Sequence, residues 1–415
     1  MTEAVAGPRQ QQPQQQQAEA GREPWGHVLR GGAALACGMG VGRFVFTPIL
    51  PLMHAQAGLS AGTGANLATA NYVGYFIGAL LGTAAPISRS TAALRISLLT
   101  LTASLAAMPL TRATDVWLIL RLCAGVCSAL IFVIAVGALL SHLRDHPAHL
   151  PGWAFGGVGA GIALSGLLVL ALRSIADWRA AWWAAAILAA LLTIPSWNLR
   201  PEPRTDATPT PAKPHLRPHP RAFTALFASY LLEGVGYIIA GTFLVAAIGQ
   251  SSPGWIGSGA WVLVGIAAVP SSALWAGLAK HRSRADLLIA ALLIQAVGIA
   301  LPALIGGVTS ALISAVLFGG TFIGVSTLTL AAGTQMRFPR AIALLTAGYS
   351  VGQILGPVLA TPLLHRGYHQ ALILGAIIVA AAALAAAILR ISLPPPTTAT
   401  GSATAMAQAP RPRQD

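Results

Sequence analysis

The sequence predicts an all-α integral membrane protein of twelve transmembrane helices, arranged as two six-helix, pseudo-symmetric halves. Three observations predict it. Of its 415 residues, 55% are hydrophobic and only 9% are charged, where a soluble domain carries roughly 25% charged residues. The apolar residues form continuous runs that reach the ~20 residues needed to cross ~30 Å of hydrocarbon; runs that do not alternate exclude a β-barrel. The basic residues gather in alternate loops, as they do in polytopic inner-membrane proteins.

Apolar windows place the first six helices at Val28–Met53, Ala65–Ser88, Leu94–Leu110, Val116–Leu140, Trp153–Leu172 and Trp178–Trp197. The next six fall at Ala222–Ile248, Ile256–Ala279, Leu287–Ile305, Ala311–Gln335, Ile342–Leu364 and Leu372–Leu393. The longest loop, RPEPRTDATPTPAKPHLRPHPR, is Pro-rich and basic and reads as a linker. The expected organisation is a disordered cytoplasmic tail at 1–27, an N-terminal half at 28–197, a linker at 198–221, a C-terminal half at 222–393 and a second tail at 394–415. The Gln-, Ala- and Pro-containing start has no apolar core of a cleavable signal peptide.

Sorting the 25 lysines and arginines by loop puts 19 on one side and 4 on the other, with Arg43 and Arg121 inside spans. Both termini and the linker are therefore expected in the cytoplasm, with the protein in a bacterial inner membrane. The net charge of +14 reflects this sorting, and no nucleic-acid partner is expected. Cys37, Cys123 and Cys127 all fall in apolar segments, so no disulfide framework is expected. His142, Asp145, His146 and His149 share one loop, but the prolines between them favour an open polar loop over a metal site. No metal, cofactor or obligate protein partner is expected; lipid and a small solute are.

Three charged side chains fall well inside predicted spans: Arg43 in the first, Arg121 in the fourth and Glu233 in the seventh. A charge at membrane depth costs ~2.5–3.5 kcal/mol on insertion scales, so such residues usually face a water-filled path or a partner. Glu233 is the one mid-span acid. It reads either as the group that takes a proton on one side and releases it on the other, or as a structural ion pair with Arg43. Arg43 reads as that partner or as a bidentate anchor for an anionic substrate. The first and seventh helices each hold a charge about halfway along, which suggests equivalent positions in the two halves. Asn71, Tyr72, Tyr75, Tyr237, Thr242, Thr321 and Gln353 offer polar groups among small residues, either to substrate or to neighbouring helices.

Several strings carry a resemblance. The fourth helix has Arg121 followed four residues later by Gly125, the fifth has Gly156-Gly157-Val-Gly159-Ala-Gly161, and the eleventh has Gly348, Gly352 and Gly356-Pro357. The first-helix string Gly38-Met-Gly-Val-Gly-Arg43-Phe-Val-Phe-Thr-Pro48-Ile-Leu-Pro51 is joined by Asn71-Tyr72-Val-Gly74-Tyr75, Glu233-Gly-Val-Gly236-Tyr237 and Gly319-Gly320-Thr321-Phe322. Together they resemble the YbfB/YjiJ-like bacterial branch of the major facilitator superfamily, over about Val28 to Leu393. The resemblance implies the major facilitator fold, transport rather than catalysis, and a role for Arg121 in proton or substrate movement. One departure stands out: the acid usual in the loops after the second and eighth helices is missing, with Lys280 where aspartate belongs.

The expected function is secondary active transport of a small solute by alternating access, proton-coupled through Glu233, with a preference for organic anions. A cationic-drug or metabolite exporter and an uncoupled facilitator are the rival transport readings. An integral-membrane enzyme is the rival from another class, and no nucleophile or metal constellation supports it.

Overall fold

The computed structural model describes residues 24–143, 146, 150–200, 220–336, 338 and 340–392. Twelve long helices run through them: α1 Pro24–Ala57, α2 Ala61–Leu81, α3 Thr91–Leu110, α4 Thr114–His142, α5 Leu150–Leu172, α6 Trp178–Ser196, α7 Pro220–Ser251, α8 Gly254–Leu278, α9 Arg284–Leu304, α10 Gly307–Gln335, α11 Ala341–Arg366 and α12 Tyr368–Ser392. Helix α1 begins inside the stretch expected to be tail. The rest of both expected tails, positions 201–219 of the expected linker, and Asp145 and His149 lie outside the described residues.

Eleven of the twelve are long and apolar enough to cross a membrane. The exception is α2, whose 21 residues include Asn66, Asn71, Tyr72 and Tyr75. It also ends earlier than its apolar run suggests. Gly82 follows Leu81, and Ala85–Ser88 forms a separate turn with Pro86 near its start, where a missing N–H costs little. Elsewhere the local code is ordinary. Ser60, Ser90, Asp177 and Ser283 each accept a backbone N–H of the first turn of α2, α3, α6 and α9, which satisfies an otherwise orphaned donor.

Glycines set how closely the helices approach. A Cβ at Gly74 would lie 2.0 Å from the Leu122 carbonyl oxygen, and one at Gly125 2.0 Å from that of Asn71, so α2 and α4 pack backbone to backbone. Gly319 of α10 meets the Val264 carbonyl of α8 in the same way. Between lipid-solvated helices, dispersion contacts of this kind replace the hydrophobic drive available in water. The halves meet along α5 and α8, where Gly152 abuts Ala273 near one end, Gly159 abuts Gly265 and Gly166 abuts Val262. Contacts of α2 with α11 and of α1 with α7 complete that interface.

The repeat extends to particular bonds. Gln56, at the end of α1, accepts the N–H of Trp178 at the start of α6; Gln250, at the end of α7, accepts that of Tyr368 at the start of α12. Gly161 of α5 presses on the Ala36 carbonyl, as Gly352 of α11 presses on that of Leu231. Between these landmarks α1 has one residue more than α7: Ala36 to Gln56 is twenty steps, Leu231 to Gln250 nineteen. The extra residue is absorbed by a π-helical turn at Ala36–Val41, in which the Gly42 N–H reaches back to the Cys37 carbonyl. One inserted residue is what a π-bulge accommodates.

Candidate functional site

Below that bulge, α1 does not resume regular bonding at once. The Thr47 N–H bonds to the Phe44 carbonyl, so the Arg43 carbonyl lacks its usual partner four residues on. Pro48 and Pro51 remove two further donors just beyond. Arg121 of α4 fills the gap. Its Nη1 and Nη2 donate to the carbonyls of Gly42 and Arg43, both at 3.3 Å, and its guanidinium lies 5.0 Å from the Phe46 ring. Asn71 of α2 donates to the Arg121 carbonyl at 3.0 Å. Arg121 is 1% exposed, so it is not a side chain reaching for the membrane surface. It ties α4 to the break in α1.

The break presents Arg43 to the other half. Its Nη2 donates to Gln353 Oε1 of α11. Its guanidinium lies 4.4 Å from the ring of Tyr75, 4.9 Å from Tyr72 and 5.4 Å from Phe44. The Tyr72 hydroxyl meets that of Thr242 at 2.8 Å, and Thr47 donates to the Gly241 carbonyl. Three side-chain links between the halves therefore surround Arg43. Its Nε and the Gln353 Nε2 are buried without a hydrogen-bond partner.

Glu233 lies elsewhere. It is fully buried within the C-terminal half, where Oε1 accepts from Gln295 Nε2 of α9 at 3.3 Å and Oε2 has no partner. No ion pair joins it to Arg43, so the direct pair, one of the two readings left open by the sequence, is not formed in this structure. The repeat gives the reason. Arg43 stands thirteen residues before Gln56 and Tyr237 thirteen before Gln250, so the counterpart of Arg43 is Tyr237 and Glu233 sits one turn away. A stack of tyrosines lies between: Tyr230 and Tyr349 have parallel rings 4.3 Å apart, and Tyr349 and Tyr237 5.5 Å. Tyr237 and Tyr349 are within electrostatic reach of both Arg43 and Glu233.

Of the residues singled out from sequence, Arg43, Arg121, Asn71, Tyr72, Tyr75, Tyr237, Thr242 and Gln353 come together. Thr321 does not join them by a hydrogen bond: its hydroxyl bonds to the Leu317 and Phe318 carbonyls of its own helix, whereas that of Thr242 also meets Tyr72. Sequence reasoning gave no role to Gln295, Tyr230, Tyr349 and Trp261. A lone amide in the apolar run of α9 was the available signal for Gln295. Phe322 joins the aromatic group by stacking on Tyr237 at 5.9 Å and meeting Phe44 edge-on at 6.3 Å.

Residues 35–390 match the family model described as the uncharacterised MFS-type transporter YbfB. The chain belongs to this family of major facilitator transporters. A comparison with curated protein sequences finds no match. Among solved structures, a point mutant of the nucleoside transporter NupG superposes with a TM-score of 0.67 over 87% of this chain and 98% of that one, at 13% identity. That likeness shows the fold, the major facilitator architecture expected from sequence; the family match and the eleven apolar helices make the chain a multi-pass membrane protein.

Proposed function

We propose that the protein is a proton-coupled secondary transporter of small organic anions, working by alternating access. The observation that carries this reading is a charge imbalance. Arg43, at the junction of the halves, and Arg121, between α4 and α1 of the N-terminal half, are both buried, and neither has an acidic partner among the described residues. Burying an uncompensated charge costs several kcal/mol, and a bound carboxylate would supply the missing counter-charge. Glu233 is the proton carrier, with one oxygen held by Gln295 and the other free.

Coupling runs through α11 rather than through a direct pair. Gln353, which holds Arg43, and Tyr349, which stacks beside Glu233, are four residues apart and so share a helix face. An anion that takes Arg43 from Gln353 frees α11 to shift, and Tyr349 carries that shift to the surroundings of Glu233. The basic excess of the alternate loops supports an inner-membrane location with both termini and the linker cytoplasmic.

Proteoliposomes carrying the full chain test the reading. Uptake of labelled carboxylates is expected to respond to an imposed pH gradient in the parent protein and to lose that response in Glu233→Gln. Equal gradient dependence in the two would end the assignment of Glu233.

A further inference from the structure

Resting on the anion reading above, we infer that the ligand of this site is a small monocarboxylate carrying a planar aromatic ring. Its carboxylate would take the place of the Gln353 amide on Arg43. Two features of the guanidinium specify the carboxylate. Nε and Nη2 form the side-on edge that grips two carboxylate oxygens in parallel bonds. Here Nη2 holds only a neutral amide oxygen, and Nε holds nothing. An amide oxygen on one half of that edge stands where one oxygen of an anion would stand. Once displaced, Gln353 keeps a buried, unpartnered Nε2 that can donate to the same ligand. A tetrahedral phosphate would need more donors than this edge and one amide provide.

The surroundings specify the ring. Phe44, Tyr72 and Tyr75 crowd the guanidinium at 4.4–5.4 Å. Phe44 in turn meets Trp261 and Phe322, each with centroids 6.3 Å away. A substituent extending from Arg43 along this line meets aromatic faces and edges, which favour another aromatic ring beyond the area it buries. Trp261 Nε1 is buried with no acceptor, a donor suited to a polar substituent on the far side of that ring.

The test is calorimetric titration and thermal unfolding of the purified full-length protein with four probes: benzoate, cyclohexanecarboxylate, acetate and inorganic phosphate. Benzoate is expected to bind and to raise the unfolding temperature. Cyclohexanecarboxylate, of similar size without a π face, should bind about tenfold more weakly, and acetate and phosphate should bind less than that. Arg43→Lys, which keeps the charge and loses the fork, should weaken benzoate about tenfold or more. Gln353→Glu places an internal carboxylate on Arg43 and should abolish benzoate binding while raising the unfolding temperature of the free protein. That result does not depend on how Arg43→Lys folds. Equal affinity for benzoate and cyclohexanecarboxylate would overturn the aromatic specificity and leave the anion reading standing. Binding of none of the carboxylates, or benzoate binding that survives Gln353→Glu, would overturn the site itself.

Discussion

Arg121 acts on the backbone of another helix rather than on a side chain. Its two bonds to the carbonyls of Gly42 and Arg43 hold the one stretch of α1 that its own hydrogen bonds leave open. Arg121→Met keeps the length and apolar bulk and removes both donors. Bonds from a charged group contribute about 1.5–3 kcal/mol each, partly offset by no longer burying the charge. A net loss of about 2–4 kcal/mol is expected on that basis, seen as earlier thermal unfolding in detergent, and an unchanged midpoint would refute this role. At this scale the sequence was informative about which residues matter. A charge inside an apolar run is conspicuous, and Arg43, Arg121 and Glu233 were all found that way. It was uninformative about partners, because an i to i+1 change of register turns a side chain by about 100° on a helix. Arg43 and Glu233 both lie mid-helix in α1 and α7, yet they are a full turn apart in the repeat, since the counterpart of Arg43 is Tyr237.

That bulge is the most informative single element. The repeat assigns the extra residue of α1 to the segment between Ala36 and Gln56, and α7 contains no such extra. Deleting Met39 should therefore remove the bulge, keep both anchors of α1 and leave a folded, monodisperse protein. Deleting Val235 from α7 has no slack to consume and must break either the Leu231–Gly352 approach or the Gln250 cap. Circular dichroism and size-exclusion profiles should separate the two deletions; equal behaviour would show that the register count is wrong. Hydropathy gave eleven of the twelve helices to within a few residues, since burial in lipid is a bulk property of a run, and overran the end of α2 by seven, where Gly82 and Pro86 break the helix inside the apolar run. It could not give the π-turn, because no residue type in Ala-Cys-Gly-Met-Gly-Val demands one.

In the whole molecule the two halves are closely joined around Arg43, through Gln353, Thr242 and the Gly241 carbonyl, and along the length of α5 and α8. Transport by rocking requires part of that seam to open. At one end Gly152 faces Ala273, with a Cβ at Gly152 falling 3.2 Å from that of Ala273, close to the separation a disulfide spans. Gly152→Cys with Ala273→Cys, in a chain whose Cys37, Cys123 and Cys127 are replaced by serine or alanine, should form a cross-link on oxidation. Uptake should stop and return with reductant. Unimpaired uptake by the fully cross-linked protein would mean that the α5–α8 seam stays shut throughout the cycle. The two-half layout was visible in the sequence through its loops; which helices line the seam was not, because glycine spacing is alike in packed pairs within and between halves.

The polar character of α2 has a consequence for how the chain is made. Eleven helices are long and apolar enough to cross a membrane, but α2 falls short of that and buries Asn71 and Tyr72 against α4 and α7, so it would meet lipid with these groups unsatisfied. It is therefore expected to wait beside the channel until α4 is synthesised. In nascent chains truncated before Thr114, a photoreactive probe in α2 should cross-link to the channel rather than to lipid, and in chains extended past His142 it should cross-link to lipid or α4, making membrane integration of the first half a step taken in company rather than one helix at a time; lipid cross-links in both would refute this.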